Sequence, residues 1–193
     1  MPFIYYDTFA LRDSSGSKAV PQMWPYFLSS ASREALKKNR PVPVQSCWNG
    51  VVAFKAEPFY ASSPLRFRGV SDSLARHHLE GSECCLIHAD YHRADSEGVW
   101  LNPNVRVGYN PGAYEAVNPQ YGGVWPTWRE KVKGVWQNRL SRWLVWPRRL
   151  SEKWQVKRKV RAWEAEKEDN HEEALHCLIN EMQVLVENGW QHV

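Results

Sequence analysis

Between short polar breaks, the first 109 residues carry apolar runs whose spacing predicts alternating strands and helices. Residues 4–9 have β-favouring character, and the DSSGS run at 13–17 supplies a turn. Residues 29–39 predict a helix that Ser29 or Ser30 caps and that Pro41 and Pro43 stop. Within residues 42–54, the continuous apolar run at 50–54 predicts a buried strand at the centre of a sheet. Residues 72–79 predict a short helix, and CCLIHAD at 84–90 predicts a second buried strand ending in polar residues. A polar loop at 91–98 leads to VWL at 99–101, which Asn102-Pro103-Asn104 breaks. Such alternation predicts an α/β fold.

The pattern changes after Tyr109. Asn110-Pro111-Gly112 and the run NPQYGG at 118–123 mark a loop-rich boundary, which divides the chain into residues 1–112 and a basic, Trp-rich helical region at 113–193. Trp128, Val132, Val135, Trp136, Leu140 and Trp143 recur at helical spacing with Arg and Lys largely on other faces. Pro147 is expected to interrupt this helix, and a second basic helix is expected from 148 to about 168. A third is predicted from Leu175, Leu178, Ile179, Met182, Leu185 and Val186, with Asn188-Gly189 as its C-cap.

At 193 residues and 43% hydrophobic content, the chain can bury one core with a helical appendage. The formal charge of +4 is too small to nominate nucleic acid as a partner. No run of about eighteen apolar residues spans a membrane, and the first residues lack the basic start, apolar middle and cleavage site of a signal peptide. Eleven tryptophans suit either sugar faces or a core. The four cysteines form neither a metal-binding spacing nor a disulfide framework, and adjacent Cys84 and Cys85 read as small hydrophobes on opposite strand faces.

Four blocks carry candidate chemistry. In SCWNGVVAF at 46–54, Trp48 offers a flat platform, Asn49 a donor and an acceptor, and Gly50 close approach to the backbone; a core Trp and an ordinary turn explain the same residues. In LRFRGVSDSL at 65–74, Arg66 and Arg68 match phosphate oxygens as readily as surface carboxylates, and Asp72 follows them. In HLEGSECCLIHAD at 78–90, Glu83 and Asp90 flank the predicted strand, as catalytic carboxylates or as a cap and a salt-bridge partner. His88 reads as a core histidine or, with Asp90, as a metal ligand. In GVWLNPNVRVGY at 98–109, Asn102 and Asn104 suit sugar hydroxyls and Arg106 a leaving diphosphate, while an Asn-Pro-Asn turn with a solvated Arg explains them equally.

These blocks, with YYDTFALRD at 5–13 and WPYF at 24–27, resemble the fungal α-1,3-mannosyltransferases of glycosyltransferase family 69, the cryptococcal mannosyltransferase and capsule-associated family. The resemblance implies a GT-A-like α/β fold, GDP-mannose as donor, a mannose-containing glycan as acceptor and a divalent metal such as manganese. It also implies the lumenal side of the Golgi membrane, reached through an N-terminal anchor that family members carry ahead of the region matched here. On this reading Glu83 and Asp90 are catalytic. Trp48, Asn49, Gly50, Arg66, Arg68, Asp72, Asn102, Asn104 and Arg106 bind substrate, and His88 and Asp90 hold the metal. Asp7 and Asp13 stand too far apart to act as an Asp-x-Asp pair. A carbohydrate-binding or polysaccharide-export protein without the donor half is the alternative, and a basic surface adaptor acting through the Trp-rich tail is a third.

Overall fold

The structure is a computed structural model that describes residues 5, 7–20, 23–94, 98–108, 110–120, 126–187 and 189–192. Its strands pair antiparallel throughout the described residues. The first sheet has the order β1 (Arg12–Asp13), β2 (Val42–Ser46) and β4 (Val99–Leu101), with α1 (Ser30–Lys37) between β1 and β2 in sequence. Along β2, Val42, Val44 and Ser46 are buried and Pro43 and Gln45 half-buried, the period of a strand with one covered face. Val42 and Val44 meet Leu11, Phe27 and Leu36 there, and these residues form the first core.

The run at 50–54 is not a strand. It is extended coil, with Val51 71% exposed, and it leads through a 3-10 turn at Glu57–Phe59 to α2 (Asp72–Ala75). The second predicted strand is instead the helix α3 (Glu83–Ala94), preceded by β3 (Glu80–Gly81). The Ser82 carbonyl accepts from both Cys85 N and Leu86 N and so starts the helix. Its Cys85, Leu86, Ile87 and His88 are all buried, which is why the sequence shows no polar period there. The chain is therefore mixed α/β with small antiparallel sheets.

After α4 (Pro111–Val117), a single helix, α5, runs from Trp128 to Glu164 and carries Pro147 inside it. Thr127 and Glu130 close a capping box at its start. The proline does not end it because the helix is seated on both sides. Gly134 and Asn138 lie buried against the N-terminal segment, while Val156, Val160 and Trp163 join Leu74, Leu79 and Leu178 in a second core. A Cβ on Gly134 would stand 1.9 Å from the Trp24 carbonyl oxygen, so only glycine lets the helix approach this closely. Asn138 Nδ2 then donates to the Phe27 carbonyl at 3.1 Å.

The predicted third helix is also absent. Residues 175–179 form a 3-10 turn at Leu175–Cys177 and β5 (Leu178–Ile179), which pairs with β3, and β6 (Gln183–Val186) pairs with β7 (Gly189–His192). Gly189 therefore opens a strand, while Asn188, Tyr109 and residues 121–125 lie outside the described residues. Arg12, fully buried, shows why no helix forms at 175–178. Its guanidinium takes the carbonyls of His176 at 2.5 Å and Cys177 at 3.5 Å, oxygens that a helix would have used internally. A disulfide between Cys85 and Cys177 closes the same junction, with Cα atoms 5.4 Å apart. Cys47 and Cys84 are free.

Candidate functional site

Three elements converge around the start of α3. Ser46, the last residue of β2, donates through its hydroxyl to the Ala10 carbonyl and meets Cys85 Sγ at 3.2 Å. This binds the 7–10 segment, the end of β2 and the first turn of α3 together, and Trp48 and Asn49 follow directly. Glu83 is exposed on that first turn, where its carboxylate accepts from Cys84 Sγ at 3.7 Å. Asp7 lies within electrostatic reach of it. Burial raises the Asp7 carboxyl above the usual carboxylate range, the Ala10 and Phe9 amides oppose this, and the Glu83 charge adds to the rise. Asp7 therefore gives up its proton less readily than an ordinary carboxyl. Burial pushes the Cys47 thiol up to about 11 and the Cys84 thiol up to about 12, with Glu83 contributing at Cys84, so neither is a thiolate nucleophile at neutral pH.

Beside this junction, the Trp48 ring stands edge-on to Phe67 with centroids 6.2 Å apart. Asn49 Oδ1 is buried without a hydrogen-bond partner among the described residues. Gly50 adopts φ +94°, which a side chain would strain, and a Cβ there would rest 3.6 Å from Val107 Cγ2. The SCWNG turn is in this way brought to the 105–107 segment.

Other predicted residues are engaged in holding the fold. Arg68 is bound by two carboxylates: Nε and Nη2 donate to Asp90 at 2.6 and 3.1 Å, and Nη1 and Nη2 to Glu172 at 2.7 and 3.1 Å. Both partners, Glu172 first, hold the guanidinium's proton more firmly than in water. Asp90 is 8% exposed and also accepts from Arg93. This geometry is the salt-bridge alternative for both residues.

His88, 1% exposed, donates from Nδ1 to the Cys84 carbonyl at 2.6 Å and lies against Phe54 at 5.2 Å. Burial lowers its pKa, so the ring is neutral at pH 7. Two residues apart on a helix, His88 and Asp90 point about 200° apart, and the Asp90 oxygens are occupied by arginines. These two side chains do not fit a shared divalent cation. Among the described residues, Cys85, His176 and Cys177 group their ligand atoms within 4.8 Å, but the disulfide takes both sulfurs.

The remaining predicted residues are held in local hydrogen bonds or lie at the surface. Arg66 is exposed. Asp72 opens α2, whose Ser71 cap accepts from Leu74 N at 3.3 Å. Asn104 accepts from Asn39 at 2.6 Å, Asn102 Oδ1 accepts from the Asn104 amide at 3.0 Å, and Arg106 donates to the Val117 carbonyl at 2.9 Å. Asn102 also lines an open groove of about 950 Å³ between α1 and β4, together with Trp100, Glu34 and Arg40. Sequence reasoning missed this groove and the proximity of Glu83 to Asp7. Trp100 beside Asn102 was the available signal for the groove, whereas 75 intervening residues hid the electrostatic influence of Glu83 on Asp7.

Indole platforms, amides and paired carboxylates are what a sugar's faces and hydroxyls require, and the relatives of this chain are mannosyltransferases. Residues 1–90 match the family described as cryptococcal mannosyltransferase 1. Over 117 residues the chain is 28% identical to alpha-1,3-mannosyltransferase CMT1 of Cryptococcus neoformans var. neoformans serotype D, a match covering 56% of this chain and 25% of that protein. The chain spans about a quarter of the length of that relative. No solved structure matches. The N-terminal segment, residues 1–90, is thus similar to the cryptococcal mannosyltransferases.

Proposed function

We propose that this chain supplies the acceptor side of a GT-A-like mannosyltransferase. The reaction moves mannose from GDP-mannose to a mannose-containing glycan in α-1,3 linkage, in glycan or capsule polysaccharide synthesis at the lumenal face of the Golgi membrane. The observation that carries this reading is the exposed Glu83 carboxylate on the first turn of α3, which Ser46 ties to the 7–10 segment and to the SCWNG turn, within the segment that matches the family. Glu83 orients and deprotonates the acceptor hydroxyl, or stabilises positive charge at the anomeric carbon. Trp48 and Asn49 bind the acceptor ring, and Arg66 faces the donor phosphates. Manganese accompanies the donor diphosphate, and no pair of residues in this chain is assigned to it.

A second reading is favoured by one specific contact. Arg68, a candidate for the diphosphate, is already saturated by Asp90 and Glu172, as expected of a carbohydrate-binding protein without the donor half. Incubating the chain with GDP-mannose, manganese and a mannobiose acceptor separates the two. Transfer that falls about 100-fold in Glu83→Gln while acceptor binding persists supports the enzyme. Acceptor binding with neither transfer nor donor binding in the unaltered chain selects the second reading.

A further inference from the structure

α5 has two apolar faces, and the protein covers one of them. Gly134, Asn138, Val156, Val160 and Trp163 face the cores. At about 100° per residue, Trp128, Trp136, Leu140, Trp143, Leu150 and Trp154 all fall within a single arc of about 120° on another side. Every one of these is exposed, from 49% at Leu150 to 84% at Trp143. With a rise of 1.5 Å per residue, the stripe from Trp128 to Trp154 is about 40 Å long. An exposed apolar stripe of that extent, with Arg129 and Arg139 set in the same arc, marks an interaction site.

The charge around the stripe indicates what covers it. α5 carries twelve Lys and Arg against three Glu, whereas the whole chain has a formal charge of only +4. Arg139 lies over the Trp136 ring and Arg158 over the Trp154 ring, each 4.9 Å from the centroid, so cations border the indoles directly. We propose that this face of α5 lies on an anionic lipid surface. Its indoles and leucines enter the headgroup boundary, and the flanking guanidinium and ammonium groups rest on lipid phosphates. No helix of the described residues is long and apolar enough to cross a membrane, so the contact is parallel to the surface. A second copy of the chain fits less well, because pairing the stripes would bring two sets of basic flanks together. Nucleic acid would leave the leucines without a partner, since a polyanion needs the cations at the centre of the contact.

The test is sedimentation of the full chain with phosphatidylcholine vesicles, with and without phosphatidylserine, read alongside quenching of Trp fluorescence by brominated lipid. Binding at least about tenfold stronger to the anionic vesicles, with quenching and salt sensitivity, is expected. Trp143→Asp with Leu144→Asp should lose about tenfold or more of the binding, as should Arg139→Glu with Arg158→Glu. All four sites are exposed, and an unchanged circular dichroism spectrum confirms the fold. The proposal is overturned by equal or absent binding to the two vesicle types, or by loss in the charge variant alone. DNA that outcompetes the vesicles overturns it too, as does a dimer that the Asp variant dissolves without any vesicle binding.

Discussion

The junction under α3 and the outer face of α5 invert the usual distribution of side chains. At the junction, Arg12 and Asp13 are fully buried, and Asp90 and Glu172 nearly so. Each is satisfied by named partners: Asp13 alone accepts from the Ser15, Ser17, Leu28 and Ser29 amides and the Ser15 hydroxyl. On α5, eight tryptophans and leucines stand in water. A buried polar group is tolerated only when its hydrogen bonds are complete, so residues with the chemical look of a site can be structural. An exposed apolar stripe satisfies nothing within the protein, and its explanation lies outside it. The contrast separates two kinds of substitution: those in the junction act on stability, and those on the stripe act on binding.

Opening the disulfide gives the largest expected effect. It links residues 92 apart in sequence, so Cys85→Ser with Cys177→Ser should cost about 4 kcal/mol through restored freedom of the unfolded chain. Urea denaturation with and without reductant measures this. Asp13→Ala comes next, at about 3 kcal/mol, because it strands amides that Asp13 holds at 2.6–3.1 Å on both the turn at 13–17 and the entry to α1. Gly134→Ala should cost about 2–3 kcal/mol despite the roughly 1 kcal/mol by which Ala is the better helix former, since its methyl meets the Trp24 carbonyl. A Gly134→Ala chain as stable as the parent would show that α5 does not seat on the N-terminal segment.

The sequence showed α1, the turn at 13–17, part of β2, β4 and the start of α5, because local signals agree with the tertiary outcome there. α1 begins after Ser29, whose hydroxyl turns to Ser14 rather than capping, and ends before Pro41 and Pro43, while β2 alternates with one face covered. It failed where contacts distant in sequence decide. Residues 84–90 are apolar on every side because α3 is surrounded, and a short apolar run has no period to distinguish helix from strand. Residues 175–179 have helical spacing, but Arg12, β3 and the disulfide hold them extended or in a tight turn. Of the candidate site, Trp48, Asn49 and Glu83 were legible as residue types. The influence of Glu83 on Asp7 was not, since only the fold brings those segments near each other.

The smaller predictions test the contrast from each side. His176 lies at the junction, with Nε2 buried and without a partner among the described residues. Burial, and then the Arg12 charge, pull its pKa down to about 4. The unfolded imidazole takes up a proton below about pH 6.5, whereas the folded one does so only near pH 4. In that window the unfolded state binds more protons, so stability is level above about pH 6.5 and falls as pH drops towards 4, by about 2 kcal/mol. His176→Asn should flatten much of this acid limb in urea titrations, with His88, also lowered by burial, contributing in the same direction.

Trp143→Ala is the opposite case and the smallest effect. A tryptophan 84% exposed has almost no buried contact to lose, so its removal should change stability by less than about 0.5 kcal/mol. A larger loss would mean that the stripe already packs on the protein, and the separation between a self-satisfied junction and an outward-facing helix would not hold.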